Sequence, residues 1–92
     1  MSSKLWVFNH KNEEILVVGR NAGDCELYVN NKLADRKNDD SRSLYLFGET
    51  SRGERVKALI GGKRRGFSED SLRCDLTVND VSLEWTAIGA GS

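Results

Sequence analysis

Glycine, asparagine, aspartate and serine interrupt this 92-residue chain so often that only short segments lie between them, and proline is absent. Segments of ~4–8 residues suit strands, whereas an ordinary helix needs ~10–12. The runs between breaks predict strands over 4–9, 14–19, 25–29, 32–36, 43–48, 55–61, 73–78 and 81–88. Asn tolerates positive φ, so Asn30-Asn31 reads as a type I′ hairpin turn, and Asn79-Asp80 turns the seventh strand into the eighth. The best helical segment is 68–72, where Ser68 would cap Glu69 and Asp70, and it amounts to one turn at most.

Alternation assigns faces to these strands. Val56, Ala58 and Ile60 point one way while Arg55 and Lys57 point the other. Val81, Leu83, Trp85 and Ala87 oppose Ser82, Glu84 and Thr86. Strands with one wet face pack in two layers, so the predicted fold is all-β, an antiparallel β-sandwich of seven or eight short strands. At 92 residues the chain makes one domain, with an ordered core over 4–88 and a frayed tail over 89–92. Val7, Val17, Leu27, Leu46, Val56, Ile60, Leu76, Leu83 and Trp85 are the expected core. Three strands, carrying Leu5-Trp6-Val7-Phe8, Ile15-Leu16-Val17-Val18 and Leu44-Tyr45-Leu46-Phe47, are apolar on both faces. Their second face is either covered by loops and termini or an interface, and Trp6, Phe8, Tyr45 and Phe47 form the candidate interaction surface.

Net charge is zero, but it is unevenly spread. Arg52, Arg55, Lys57, Lys63, Arg64 and Arg65 face only Glu54 between residues 51 and 66, leaving that stretch at net +5 and the remainder at −5. It is either a solvated surface or a docking patch for an anionic protein or nucleic acid. Cys25 and Cys74 each sit on the apolar side of an alternating strand, as core thiols do. His10 is the single histidine and has no zinc-ligand spacing around it. Asp39-Asp40 and Glu69-Asp70 are loop carboxylates, Gly61-Gly62-Lys63 lacks the rest of a phosphate loop, and 38–41 lacks calcium-loop spacing. No catalytic constellation, metal or cofactor is expected. No run approaches the ~18 apolar residues of a membrane span, and no signal peptide is visible, which predicts a cytoplasmic protein.

The order of motifs carries a further expectation. Leu5-Trp6-Val7-Phe8 opens the chain, and Glu26-Leu27-Tyr28-Val29 leads into Asn30-Asn31-Lys32-Leu33. The run 55–60 enters Gly61-Gly62-Lys63-Arg64-Arg65, and Asp75-Leu76-Thr77-Val78-Asn79-Asp80 follows. This succession, over roughly residues 5–85, resembles the β-sandwich domain of the Fas apoptosis inhibitory molecule family, most nearly its C-terminal domain. Asn31 stands where that family typically has a turn glycine, and 67–72 looks like an insertion. The resemblance implies a non-enzymatic, cytosolic interaction protein that restrains death-receptor apoptosis and counters protein aggregation. Its partners would be unfolded or aggregating clients or a signalling protein, with self-association a further option. One alternative is nucleic-acid or anionic-surface binding through the 52–65 segment. That reading is disfavoured because Phe67 is the only aromatic adjacent to those cations in sequence. The other is a carbohydrate platform on Trp6, Tyr28, Tyr45 or Trp85.

Overall fold

The computed structural model describes residues 3–19, 24–38, 43–61 and 72–91. Nine strands follow one another: β1 (Ser3–His10), β2 (Glu13–Gly19), β3 (Asp24–Val29), β4 (Lys32–Asn38), β5 (Leu44–Glu49), β6 (Arg55–Gly61), β7 (Arg73–Val78), β8 (Val81–Leu83) and β9 (Ala87–Gly91). They form two antiparallel sheets, ordered β4-β3-β2-β1-β9 and β5-β6-β7-β8. The fold is the two-layer β-sandwich that alternation implies, and the first seven expected strands are found within two residues at either end. The possible helical turn at 68–72 falls, but for Leu72, outside the described residues.

Three hairpins close on two-residue turns whose central residues all have positive φ: Lys11-Asn12, Asn30-Asn31 and Asn79-Asp80. That backbone is the type I′ turn, whose twist matches the strands it joins. In two of them the first asparagine also docks on the neighbouring strand. The Asn30 amide N–H donates to the Glu14 carbonyl, and its Oδ1 accepts from the Glu14 N–H. Asn79 makes the same pair of bonds with Arg55. The β5–β6 connection instead turns through Gly53 at φ 79°. There Thr50 Oγ1 accepts from the N–H groups of Arg52 and Glu54.

The core is the set of inward positions on both sheets. Trp6 and Phe8 pair with Val17 and Ile15, which pair in turn with Leu27 and Val29. Facing them, Leu44, Leu46, Val56, Ala58, Ile60, Cys74, Leu76 and Val78 are all buried. Cys25 and Cys74 are core thiols. Burial, with the negative charge of Asp75 nearby, pushes the Cys74 thiol up to about 12. It is therefore protonated and inert at neutral pH.

Three expectations about faces are corrected. Trp6 and Phe8 belong to the core, at 1% and 0% exposure, not to a surface platform. Val7, their neighbour, points outward and is only half-buried, so the assigned face of β1 is reversed. Trp85 is 48% exposed because the expected strand over 81–88 does not exist as one piece. The chain leaves the second sheet after Leu83 and joins the first as β9. Leu83 packs against the core only in part. Residues 89–91, expected to fray, pair with Leu5, Lys4 and Ser3.

Candidate functional site

The two sides of the sandwich are finished differently. On one, β4 carries Lys32, Asp35, Arg36 and Lys37, charges that discourage pairing with another chain. A register shift opposite Leu27 and Tyr28 makes Ala34 an extra residue and bends β4 toward β5. Asp35 Oδ2 then accepts the Phe47 N–H at 2.8 Å, capping the β5 edge. Gly48 is needed at this seam, since a Cβ there would lie 2.9 Å from the Ala34 Cβ. Arg36 further ties β4 to Asp24 by an ion pair.

Among the described residues the other side is left open. β8 is three residues long and pairs only with Leu76, Thr77 and Val78. Among the described residues, Arg73, Cys74 and Asp75 therefore pair with β6 and have no strand on their second side. Opposite, β9 pairs with β1 alone and has no charged residue and no proline. Ile88 pairs with inward-facing Trp6, so it points toward the layer that β8 fails to supply, and it stays 45% exposed. Trp85 flanks it. A cleft of about 420 Å³ results, with Trp6, Leu72 and Cys74 among its lining residues and Lys4, Arg73 and Asp75 beside them. Lys4 is already engaged, donating to the Leu72 carbonyl and lying 5.6 Å from the Trp6 ring centre.

The outer face of the second sheet carries a different arrangement. Tyr45 and Phe47 project from β5 with ring centres 6.1 Å apart and are 45% and 53% exposed. Cross-strand register sets Leu59 opposite Tyr45, Lys57 opposite Phe47 and Arg55 opposite Glu49. The Lys57 ammonium lies 5.6 Å from the Tyr45 ring centre, and that of Lys37 lies 5.3 Å from Phe47.

Of the six cations singled out from the sequence, Arg55 and Lys57 lie on this face and Arg52 is exposed in the β5–β6 turn. Lys63, Arg64 and Arg65 lie outside the described residues. Of the four apolar candidates, Tyr45 and Phe47 are exposed, whereas Trp6 and Phe8 are buried in the core. The open cleft and Ile88 were not foreseen from sequence, because no signal in the chain marks a switch of sheets between Leu83 and Ala87. His10 is held at the end of β1, its Nε2 3.2 Å from Glu54 Oε2. Among the described residues, no cluster of His, Cys, Asp and Glu is arranged to hold a metal ion. No helix is long and apolar enough to cross a membrane among them either.

No protein-family model, curated protein or solved structure matches the chain. The likeness to the Fas apoptosis inhibitory molecule family rests on the sequence motifs alone.

Proposed function

We propose that this domain is a non-enzymatic interaction module that captures extended segments of other proteins on the open side of its sandwich. The observation that carries the reading is that, among the described residues, no strand lies on the second side of Arg73–Asp75 in β7. A segment laid there in continuation of β8 meets the edge of Arg73–Asp75 that has no strand partner among the described residues and sets alternate side chains over Trp6 and Ile88. Main-chain hydrogen bonds give such strand addition its affinity, and pockets for alternate side chains give selectivity. Aggregating proteins expose segments of this kind, apolar and rich in β-formers. Capture would withhold them from one another, which agrees with the anti-aggregation role implied by the family resemblance. Restraint of apoptosis through a cytoplasmic signalling partner is the second half of that implied role and would use the same surface.

The test is light scattering from an unrelated client protein during thermal unfolding, with this domain at substoichiometric amounts. A delay in aggregation is expected for the wild type. Ile88→Lys places a charge in the cleft from a half-exposed edge position, so it should abolish the delay while keeping the native melting temperature. No delay by the wild type, or an equal delay by Ile88→Lys, would sink the proposal.

A further inference from the structure

We infer that the open edge of β7 selects its segments by charge, taking an extended chain that reads basic, apolar, acidic from its N-terminal end. The inference rests on capture beside β7 and assigns that site its chemical preference. Register supplies the order. β8 runs antiparallel to β7, with Leu83 opposite Leu76. A segment that continues β8 in the same direction sets its successive residues opposite Asp75, Cys74 and Arg73. Directly opposite residues share a face of the sheet. The middle residue therefore points inward with buried Cys74, into the cleft that Trp6 and Ile88 also line. The residues on either side of it stand beside Asp75 and Arg73 on the solvent face.

Asp75 and Arg73 are both exposed, and neither makes a side-chain hydrogen bond or ion pair among the described residues. Their neighbours across β6 supply no charge, since Asp75 lies opposite Leu59 and Arg73 opposite Gly61. Lys57, diagonal to Asp75, lies over the Tyr45 ring instead. A charge directly opposite either residue can therefore come only from a strand laid on the other side of β7. Opposite charges in such cross-strand pairs favour pairing and like charges oppose it. A segment reading acidic, apolar, basic would set like against like at both positions. The chain's own continuation fails the same demand. Extending the β7–β8 register by one residue would put Glu84 opposite Asp75. The chain leaves the sheet at that point, and the Thr86 N–H and hydroxyl both donate to the Val7 carbonyl in the first sheet.

The experiment is fluorescence anisotropy with two labelled peptides of about six residues, a strand's length, capped at both ends. Both alternate threonine and valine, except that the first two outward positions are lysine then glutamate in one and glutamate then lysine in the other. The lysine-first peptide should bind about tenfold tighter at low salt, and the difference should shrink as salt screens exposed charges. Exchanging the charges in the protein, Asp75→Arg together with Arg73→Asp, should invert the preference. Both side chains are exposed, and an unchanged melting curve would show that the variant folds. Where the exchange disturbs folding, the neutral changes Asp75→Asn and Arg73→Gln should each reduce the preference about threefold. Equal binding of the two peptides, lost for both in Ile88→Lys, would overturn charge selection while leaving capture standing. Binding of neither peptide would overturn both. A preference that survives the exchange or both neutral changes would place the selecting charges elsewhere and overturn the inference as well.

Discussion

A tryptophan stabilises a fold only through the contacts and the dry surface around its ring, and the two in this chain stand at opposite limits. Trp6 is 1% exposed, against the inter-sheet faces of both layers, while Trp85 is 48% exposed beside the open cleft. Truncating a buried Trp costs about 3–5 kcal/mol. Trp6→Ala should thus remove most of the stability of so small a domain. Trp85→Ala should cost less than about 1 kcal/mol, as surface substitutions do. Urea unfolding of both variants beside the wild type measures this, and equal losses would contradict the placement of β8 and β9. The reversal of β1 is instructive at the same scale. Leu5, Trp6, Val7 and Phe8 are all apolar, so alternation cannot say which pair faces inward. Pairing with Val17 and Ile15 decides it, and that register is not written in any local pattern.

Turns and edges were unequally legible from the residues. Asn30-Asn31 and Asn79-Asp80 announce positive φ by composition, and the strands on either side are found where they were expected. The end of β8 was not, because Val81, Leu83 and Trp85 keep a period of two through the point where the chain changes sheets. A sheet switch alters partners without altering alternation. Val81 even remains 65% exposed, with no strand beyond β8 to cover it among the described residues. Within the β3–β4 hairpin the two turn residues are not equivalent. The Asn30 amide binds the Glu14 N–H and donates to Glu13 Oε1, while Asn31 contributes φ of 66° and no side-chain hydrogen bond among the described residues. Asn31→Gly should therefore be neutral or slightly stabilising, since Gly is the preferred second residue of a type I′ turn. Asn30→Gly keeps the backbone conformation but loses those bonds, at about 1 kcal/mol or more. Thermal unfolding of the two variants distinguishes these roles, and matching losses would mean that only turn conformation matters.

At the scale of the whole molecule, one end of the sandwich is tied by carboxylates. Glu13, at the start of β2, reaches the opposite sheet. Its Oε1 accepts the Ser51 N–H at 2.7 Å and the Asn30 side-chain amide at 3.0 Å. Glu54, just before β6, returns the connection by accepting from His10 and Lys11. The Ser51 N–H holds the Glu13 carboxyl below its ordinary pKa, and the hydrogen bond with His10 does the same for Glu54. A carboxylate whose pKa is lower in the folded state stabilises that state above its unfolded value, ~4.3 for Glu. That contribution is lost as pH falls from there through the lowered folded pKa. The melting temperature should accordingly drop as the solution is acidified below that value. Glu13→Gln keeps a carbonyl oxygen for Ser51 and Asn30 but cannot ionise. It should melt lower than the wild type at neutral pH and approach it in acid, giving a flatter acid limb. Hydrogen exchange should locate the effect, with the Ser51 N–H losing protection in acid before the amides of β2 and β6. An acid limb as steep in Glu13→Gln as in the wild type would mean that Glu13 is not the group whose protonation loosens this end. Glu54→Gln would then be the variant to flatten it, since His10 and Lys11 hold the same two sheets together through that carboxylate.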